Sequence, residues 1–196
     1  MMGASAIAVL FAASLAAAQA PQIVRVRATI ECIDGSVLNV KGRDGAEMKV
    51  QLAANAPASE VVKASISDIK QGSYIAVTAQ PQPDGSQKAV AILIFPPALH
   101  PPEGFHPWDF PPNSTMTNAT VANEVTGKDG ETLTVKYKGG EKTIIVPPSA
   151  QIVTYKKANA ADLKAGQKIF VFAAKKLPDG TLQAANVSFG DYGVWR

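Results

Sequence analysis

The feature that most constrains this chain is an internal repeat with a period of 94 to 95 residues. The two copies agree at turn glycines and at apolar positions, which are the places that backbone geometry and burial restrict. The matching pairs are Gly35 with Gly130, Leu38 with Leu133, Val40 with Val135, Asp68 with Asp162, Gly72 with Gly166, Asp84 with Asp179, Gly85 with Gly180 and Ala89 with Ala184. Repeats of solenoids and propellers have periods of about 20–50 residues, so this longer period predicts two domains.

Each copy carries short β-type segments separated by turn signals. Val24, Val26, Ala28 and Ile30 alternate with polar residues, and this period of two predicts a half-buried strand. Asp-Gly and Pro-Asp-Gly sequences separate the later segments and predict hairpin turns. Five short strands are too few for a two-sheet sandwich, and closing the sheet removes its edges. Each copy is therefore predicted to be a small β-barrel.

A short helical turn is predicted between the third and fourth strands of each copy. In the first copy, Ser67 can cap this turn and Gly72 can end it in the left-handed conformation, with Gly166 as the equivalent in the second. This placement suits an OB-like barrel, and an SH3-like barrel is the competing topology. The predicted fold class is all-β, with two tandem small OB-like β-barrels.

The N-terminal residues have the pattern of a signal peptide. An apolar run at positions 7–15 is followed by small residues that suit cleavage, and no Lys or Arg precedes the run. The run is shorter than the roughly 20 residues that a membrane-spanning helix needs. We expect an exported protein, periplasmic or secreted, without a transmembrane segment after processing. A buried N-terminal helix is the alternative interpretation.

The single cysteine and the mild net charge exclude several classes of protein. One cysteine allows neither an internal disulfide nor a cysteine-based zinc site, so Cys32 is expected to be a buried core thiol, with a reactive or intermolecular thiol as the alternative. A net charge of +3 does not indicate a polyanionic partner. The aromatic residues are scattered, without the stacking platform in a basic groove that single-stranded nucleic acid requires. No nucleic-acid partner is therefore expected.

A proline- and aromatic-rich segment, residues 96–115, joins the two copies and contains both histidines. Its proline density predicts an extended, stiff chain, in places close to polyproline II. Exposed aromatic side chains would form an apolar patch, so Phe105, Trp108 and Phe110 are expected to pack between the barrels. These three residues are the candidate ligand or interdomain contacts.

The same segment contains the only pattern that resembles a metal site. His100, Glu103, His106 and Asp109 recur at every third residue, which would place them on one edge of a polyproline II helix. Their spacing there would be about 9 Å, from a rise of about 3.1 Å per residue. Zinc ligands lie about 2 Å from the ion, so the chain would have to bend, for example at Gly104.

No motif for catalysis is found in the sequence. It has no Gly-rich phosphate loop, no Gly-x-Ser-x-Gly elbow and no His-Glu-x-x-His sequence. Most acidic residues lie in predicted turns, where backbone geometry explains them. The chain is therefore not expected to be an enzyme or to need a cofactor.

The motif order Asp-Gly, Leu-x-Val, Asp-Leu-Lys-x-Gly, Val and Pro-Asp-Gly resembles bacterial envelope proteins of a family of unknown function with OB-like barrels. Pro107-Trp108-Asp109 and the run from Ser114 to Val121 are similar to a tandem subset of that family. The resemblance implies the fold and no established activity. The predicted organisation is a signal peptide at 1–20, one barrel at 21–95, the joining segment at 96–115, a second barrel at 116–190 and a tail at 191–196.

These observations favour an exported, non-catalytic binding or interaction module of the bacterial envelope. Its partner would be an unknown envelope protein or a small ligand. A periplasmic metal-binding protein that uses the joining segment is the alternative function, and a hydrolase is the third.

Overall fold

The computed structural model describes residues 22–127 and 130–190. The first half contains β1 (Ile23–Asp34), β2 (Val37–Gly42), β3 (Glu47–Leu52), β4 (Ala58–Lys63), β5 (Tyr74–Pro81) and β6 (Gln87–Ile94). The second half contains β7 (Gly104–Trp108), β8 (Ser114–Gly127), β9 (Gly130–Tyr137), β10 (Gly140–Val146), β11 (Gln151–Ala158), β12 (Lys168–Lys176), β13 (Leu182–Ala184) and β14 (Val187–Phe189). Single 3-10 turns at Ile66–Asp68 and Ala160–Asp162 precede β5 and β12.

The prediction of an all-β chain is confirmed, since the described residues contain no α-helix. None of the helical segments in this part of the chain has the length and apolarity to cross a membrane. The predicted signal peptide and the tail with Trp195 lie outside the described residues.

Two rings of five strands are closed by hydrogen-bonded pairing. In barrel A, β1 pairs with β2, β2 with β3, β3 with β13, β13 with β12, and β12 with β1. In barrel B, β8 pairs with β9, β9 with β10, β10 with β6, β6 with β5, and β5 with β8. Each ring has one parallel pairing, β3 with β13 or β10 with β6, and the other pairings are antiparallel.

Each barrel takes three strands from one half of the chain and two from the other. The predicted barrel boundaries, 21–95 and 116–190, follow the sequence repeat but do not correspond to the closed rings. The reason is β4, which lies in a polar, alanine-rich stretch where only the short pair Val61-Val62 indicated β structure. Six extended residues span about 20 Å, so β4 carries the chain away from β3 and into the other barrel.

The two crossing strands pair with each other at the centre of the molecule. β4 and β11 are antiparallel, and Val61 lies opposite Tyr155, which is 94 positions later and therefore its counterpart in the repeat. β4 also pairs with β14, and β11 pairs with β6, both in parallel. The pairing thus relates the two halves by an approximate twofold symmetry.

Each barrel has its own apolar interior. Fully buried branched residues from opposite walls fill both interiors: Val26, Ile30, Leu38, Val40, Val50, Ile169 and Val171 in barrel A, and Ile75, Val77, Ile92, Leu133, Val135 and Ile144 in barrel B. Leu163 and Ile69, which follow the two 3-10 turns, belong to the cores of barrels A and B respectively.

The two glycines expected in the left-handed conformation are confirmed, but their role differs from the prediction. Gly72 and Gly166 both have φ of +86°. The first 3-10 turn is capped by Ser65 rather than Ser67, and Ile69 ends it. Gly72 lies in the following tight turn, and its N–H donates to the Val121 carbonyl oxygen at 2.8 Å. This hydrogen bond fastens the turn to β8 of the same barrel.

Cys32 is exposed, so the expectation of a buried thiol is wrong. A β-bulge shifts the register between Ile30 and Cys32 in the β1–β2 pair. The extra residue reverses the alternation that buries Val26 and Ile30, and the cysteine therefore points outward. Its sulfur accepts a hydrogen bond from Asn39 Nδ2 at 3.3 Å.

The strand exchange has a direct test. A specific protease site inserted between the exposed residues Ala98 and Leu99 would cut the chain between its halves. Because each half supplies strands to both barrels, we expect the two fragments to stay together with the mass of the intact chain in size-exclusion chromatography. They should separate only in denaturant. Dissociation of the cut fragments in native buffer at micromolar concentration would contradict the exchanged pairing.

Candidate functional site

The joining segment forms a β-strand rather than the predicted polyproline II conformation. β7 pairs antiparallel with β8, from Gly104 opposite Asn118 to Trp108 opposite Ser114. The N-terminal end of β8 extends beyond the residues that pair with β9, which leaves backbone groups that β7 can satisfy. Proline is tolerated at Pro107 because β7 has a strand neighbour on one side only among the described residues.

The three aromatic residues of the segment each lie against a cationic side chain. Trp108 and Phe110 contact cations of barrel A and its β2–β3 turn, and Phe105 contacts a cation of barrel B. The distances to the ring centres are 4.5 Å for Lys142 and Phe105, 4.4 Å for Arg25 and Trp108, 5.5 Å for Arg27 and Trp108, and 3.8 Å for Arg43 and Phe110. The segment therefore contacts both barrels through cation–π interactions.

Trp108 lies in an apolar cluster between the barrels and is only 7% exposed. The buried members of this cluster come from β4, β5, β7, β8, β11 and β12: Val61, Ala76, Trp108, Met116, Val153 and Phe170. Its indole Nε1 has no hydrogen-bond acceptor within the described part of the chain. The contribution of Trp108 is therefore packing and cation–π contact rather than hydrogen bonding.

Arg25, Arg27, Trp108, Phe170 and Phe172 form an arginine–aromatic patch on the outer face of β1 and β12. Arg27 lies 5.0 Å from the ring centre of Phe170, and Arg25 lies 5.2 Å from that of Phe172. Phe172 is 56% exposed, which is unusual for a phenylalanine. The patch is thus continuous from the buried cluster to the surface.

Asp109 neutralises part of the charge of this patch. Its carboxylate accepts two hydrogen bonds from Arg27, at 2.7 and 3.1 Å, and lies 3.8 Å from Arg25. Partial burial would raise the pKa of Asp109, but the hydrogen bonds and the positive charge of Arg27 outweigh that effect and keep the pKa below its usual value. The Asp109 carboxylate lies against both Arg25 and Arg27, so these three side chains together carry a net charge of +1.

The structure does not bring the four candidate metal ligands together. His100 stacks on Tyr74 with ring centres 4.3 Å apart, and His106 meets the ring of Trp108 at 66°. Glu103 Oε2 accepts a hydrogen bond from the Lys138 backbone N–H at 2.7 Å, and Asp109 binds Arg27. No group of three or more His, Cys, Asp or Glu residues within ranges 22–127 and 130–190 is arranged to hold a metal ion. Each of the four side chains has a separate partner.

An open cleft of about 980 Å³ lies beside barrel A. Its walls come from the β1–β2 hairpin, the β3–β4 connection, the start of the joining segment and the β11 end. Apolar side chains dominate the lining, among them Ile33, Leu38, Leu52, Pro96, Leu99 and Tyr155. Leu99 is 43% exposed and Ile33 is 39% exposed, so both present apolar surface at the cleft.

Within the part of the chain that the structure describes, two titratable side chains line this cleft, Tyr155 and Lys157. Burial raises the pKa of the Tyr155 phenol further above its ordinary value, which favours the neutral form. Sequence reasoning missed the cleft because the strand exchange assembles it from residues about 120 positions apart, such as Ile33 and Tyr155. The sequence feature that could have indicated the cleft is Leu99, an aliphatic residue among the prolines of the joining segment.

Comparison of this chain with family models, with curated proteins and with solved structures found no match. The resemblance to a bacterial envelope family therefore stays an expectation.

We expect Trp108→Ala to lower the free energy of unfolding by about 3 kcal/mol, because a buried indole leaves a cavity between the barrels. Phe105→Ala is the matched control, since Phe105 is 37% exposed, and it should cost about 1 kcal/mol or less. Trp108→Phe should lie nearer the wild type, because the indole N–H has no acceptor among the described residues that the substitution would remove. Urea denaturation followed by circular dichroism measures all three. Equal losses for the two alanine variants would contradict the packing role of Trp108.

The Asp109–Arg27 pair predicts a pH-dependent stability. The pKa of Asp109 is lowered by folding, so its stabilisation is present above its unfolded pKa of about 3.9 and is lost as the pH falls through the lower folded value. Asp109→Asn should therefore destabilise the protein at pH 7 and have little effect near pH 2. Asp109 is 42% exposed, so solvent screening limits the loss to about 1 kcal/mol. Thermal unfolding across pH 2–7 gives the difference, and a constant difference would contradict this assignment.

Proposed function

We propose that the mature chain is an exported, non-catalytic binding module of two OB-like barrels that holds an apolar ligand in the cleft beside barrel A. The observation that carries this proposal is the composition of the cleft. Its lining is mainly apolar, and among the described residues it contains no Asp, Glu, His, Cys or Arg. Concave, mostly apolar sites with a few polar groups are typical of ligand binding, whereas acid–base or nucleophilic catalysis needs paired reactive side chains.

The order of strands supports an OB-like description of both barrels. In barrel A, the three strands from the N-terminal half are followed around the ring by β13 and β12, and a 3-10 turn precedes β12. Barrel B repeats this order with β8, β9, β10, β6 and β5. A helical turn before the fourth strand of a five-stranded barrel is the feature that favoured this fold over an SH3-like barrel. Export is supported by the sequence pattern at residues 1–20.

Leu99 is the residue through which the cleft is best tested. Burial of a leucine side chain is worth about 1.5–3 kcal/mol, and a carboxylate in its place would repel an apolar ligand and an anionic probe alike. Leu99 and Phe105 have similar exposure, 43% and 37%, but only Leu99 lines the cleft. Phe105→Glu is therefore a matched control for Leu99→Glu.

The probe is the fluorescent dye 1-anilinonaphthalene-8-sulfonate, titrated into the folded protein. We expect saturable binding to the wild type and a loss of affinity of about tenfold or more in Leu99→Glu. Phe105→Glu should bind as the wild type does. Circular dichroism should show that both variants stay folded. Absence of dye binding to the wild type, or equal losses in the two variants, would contradict an apolar site in this cleft.

A further inference from the structure

The two halves of the chain differ at one strand edge. In barrel B, β7 pairs with the first five residues of β8, Ser114–Asn118. On the opposite side of β8, β5 pairs with Thr115–Asn118 and the residues that follow. Their counterparts in β1 are Ile23–Arg27, 91 positions earlier. The strand pairing defines this correspondence. Asn118 pairs with Ala76, and Arg27 pairs with Phe170, the residue that matches Ala76 in the repeat, 94 positions later. Among the described strands, these residues of β1 pair with β12 only.

The backbone groups of Ile23, Arg25 and Arg27 point toward this unpaired side. The backbone groups of Ile30 point toward β12. Its N–H donates a hydrogen bond to the Gln167 carbonyl oxygen, and its carbonyl oxygen accepts one from the Gly166 N–H. Donors and acceptors alternate along a strand, and at the other end the Gln22 carbonyl accepts from Lys176 N–H. Even-numbered residues of β1 therefore face β12, and odd-numbered residues from 23 to 27 face the free side.

In the other half, a strand satisfies the same groups. The counterparts of Ile23, Arg25 and Arg27 are Ser114, Met116 and Asn118, which lie opposite Trp108, His106 and Gly104 of β7. This pairing shows that the position accommodates five residues of extended chain, antiparallel to the barrel strand. Unpaired backbone donors and acceptors on an edge are a template for another strand.

The charges beside the edge indicate what kind of strand fits. Arg25 keeps 36% of its side-chain surface exposed, and its nearest carboxylate, Asp109, is already held by Arg27. A second copy of β1 would place Arg25 and Arg27 close to the same arginines across an antiparallel pair, and like charges in such pairs are destabilising. A carboxylate on the added strand would instead pair with Arg25.

We propose that Ile23–Arg27 accepts an extended, acidic segment of a partner protein as an additional antiparallel strand. Main-chain hydrogen bonds to Arg25 and Arg27 supply affinity, and a carboxylate opposite Arg25 supplies selectivity. This site is separate from the apolar cleft, and it holds or fails independently of the function proposed for that cleft.

The probe is a capped pentapeptide of alternating aspartate and valine, with aspartate at its first and central positions. It is titrated into the full chain as processed by a host that exports it. We expect the backbone amide resonances of Ile23, Arg25 and Arg27 to shift and their hydrogen exchange to slow, while those of Ser114–Asn118 stay unchanged. N-methylation of the central aspartate removes a donor that faces β1 and should weaken binding about tenfold. N-methylation of a neighbouring valine, whose N–H faces away, should change it less than twofold.

Charge reversal supplies the second test. Arg25→Glu should weaken binding of the acidic peptide about tenfold and favour the same peptide with lysine in place of aspartate. Lys49→Glu, an exposed charge on β3, is the control and should leave binding unchanged.

Four results would overturn the proposal. They are no amide shift at millimolar peptide, equal weakening by both methylations, shifts at Ser114–Asn118 that indicate displacement of β7, and a dimer that protects the same amides without peptide. The second result would indicate binding through side chains alone, and the fourth would assign the edge to another copy of this chain.

Discussion

The pairing of β4 with β11 is the constraint on which the rest of the structure depends. These two strands carry the chain between the barrels, and each continues a sheet into the other half by pairing with β14 or β6. Because β4 and β11 pair antiparallel, with Val61 opposite Tyr155, the position and direction of one strand determine those of the other. The exchange of strands, the shared cluster around Trp108 and the composite cleft all follow from this crossing.

The joining segment adds an asymmetric element to an otherwise repeated structure. β7 occupies the free edge of β8, and its aromatic residues contact cations of both barrels. A chain rich in proline loses less conformational entropy on ordering than a Gly/Ser linker, so these contacts can hold it at modest cost. Trp108 combines both roles, since it ends β7 and fills the space between the barrels. The first half has no described counterpart to this strand, and its edge and arginine patch are therefore the sites that differ most from the second half.

Local features of the fold were predictable from the sequence, whereas the partners of the strands were not. Alternation at Val24–Ile30 and the left-handed glycines Gly72 and Gly166 are determined by neighbours within a few residues, and the structure confirms them. Whether β12 joins its own half or the other cannot be read from a repeat, because both halves present equivalent surfaces. The prediction that Cys32 is buried was wrong for a related reason, since a single bulged residue turns the following side chains to the opposite face of the strand. The candidate metal ligands share a spacing but have different partners, and the cleft combines residues that are distant in sequence.

The exchanged pairing also determines when each barrel can close as the chain emerges. Barrel B needs nothing beyond β10, so all its strands are available once residue 146 has appeared. Barrel A begins with β1 but cannot close until β12 and β13 have both appeared, and Val26 pairs with Val171, 145 positions later. Contacts this distant in sequence form slowly, because the ends of a long loop have to meet before the contact stabilises anything. The first strands to leave the ribosome are therefore among the last to be enclosed, and the apolar face of β1 to β3 stays uncovered until nearly the whole chain has followed.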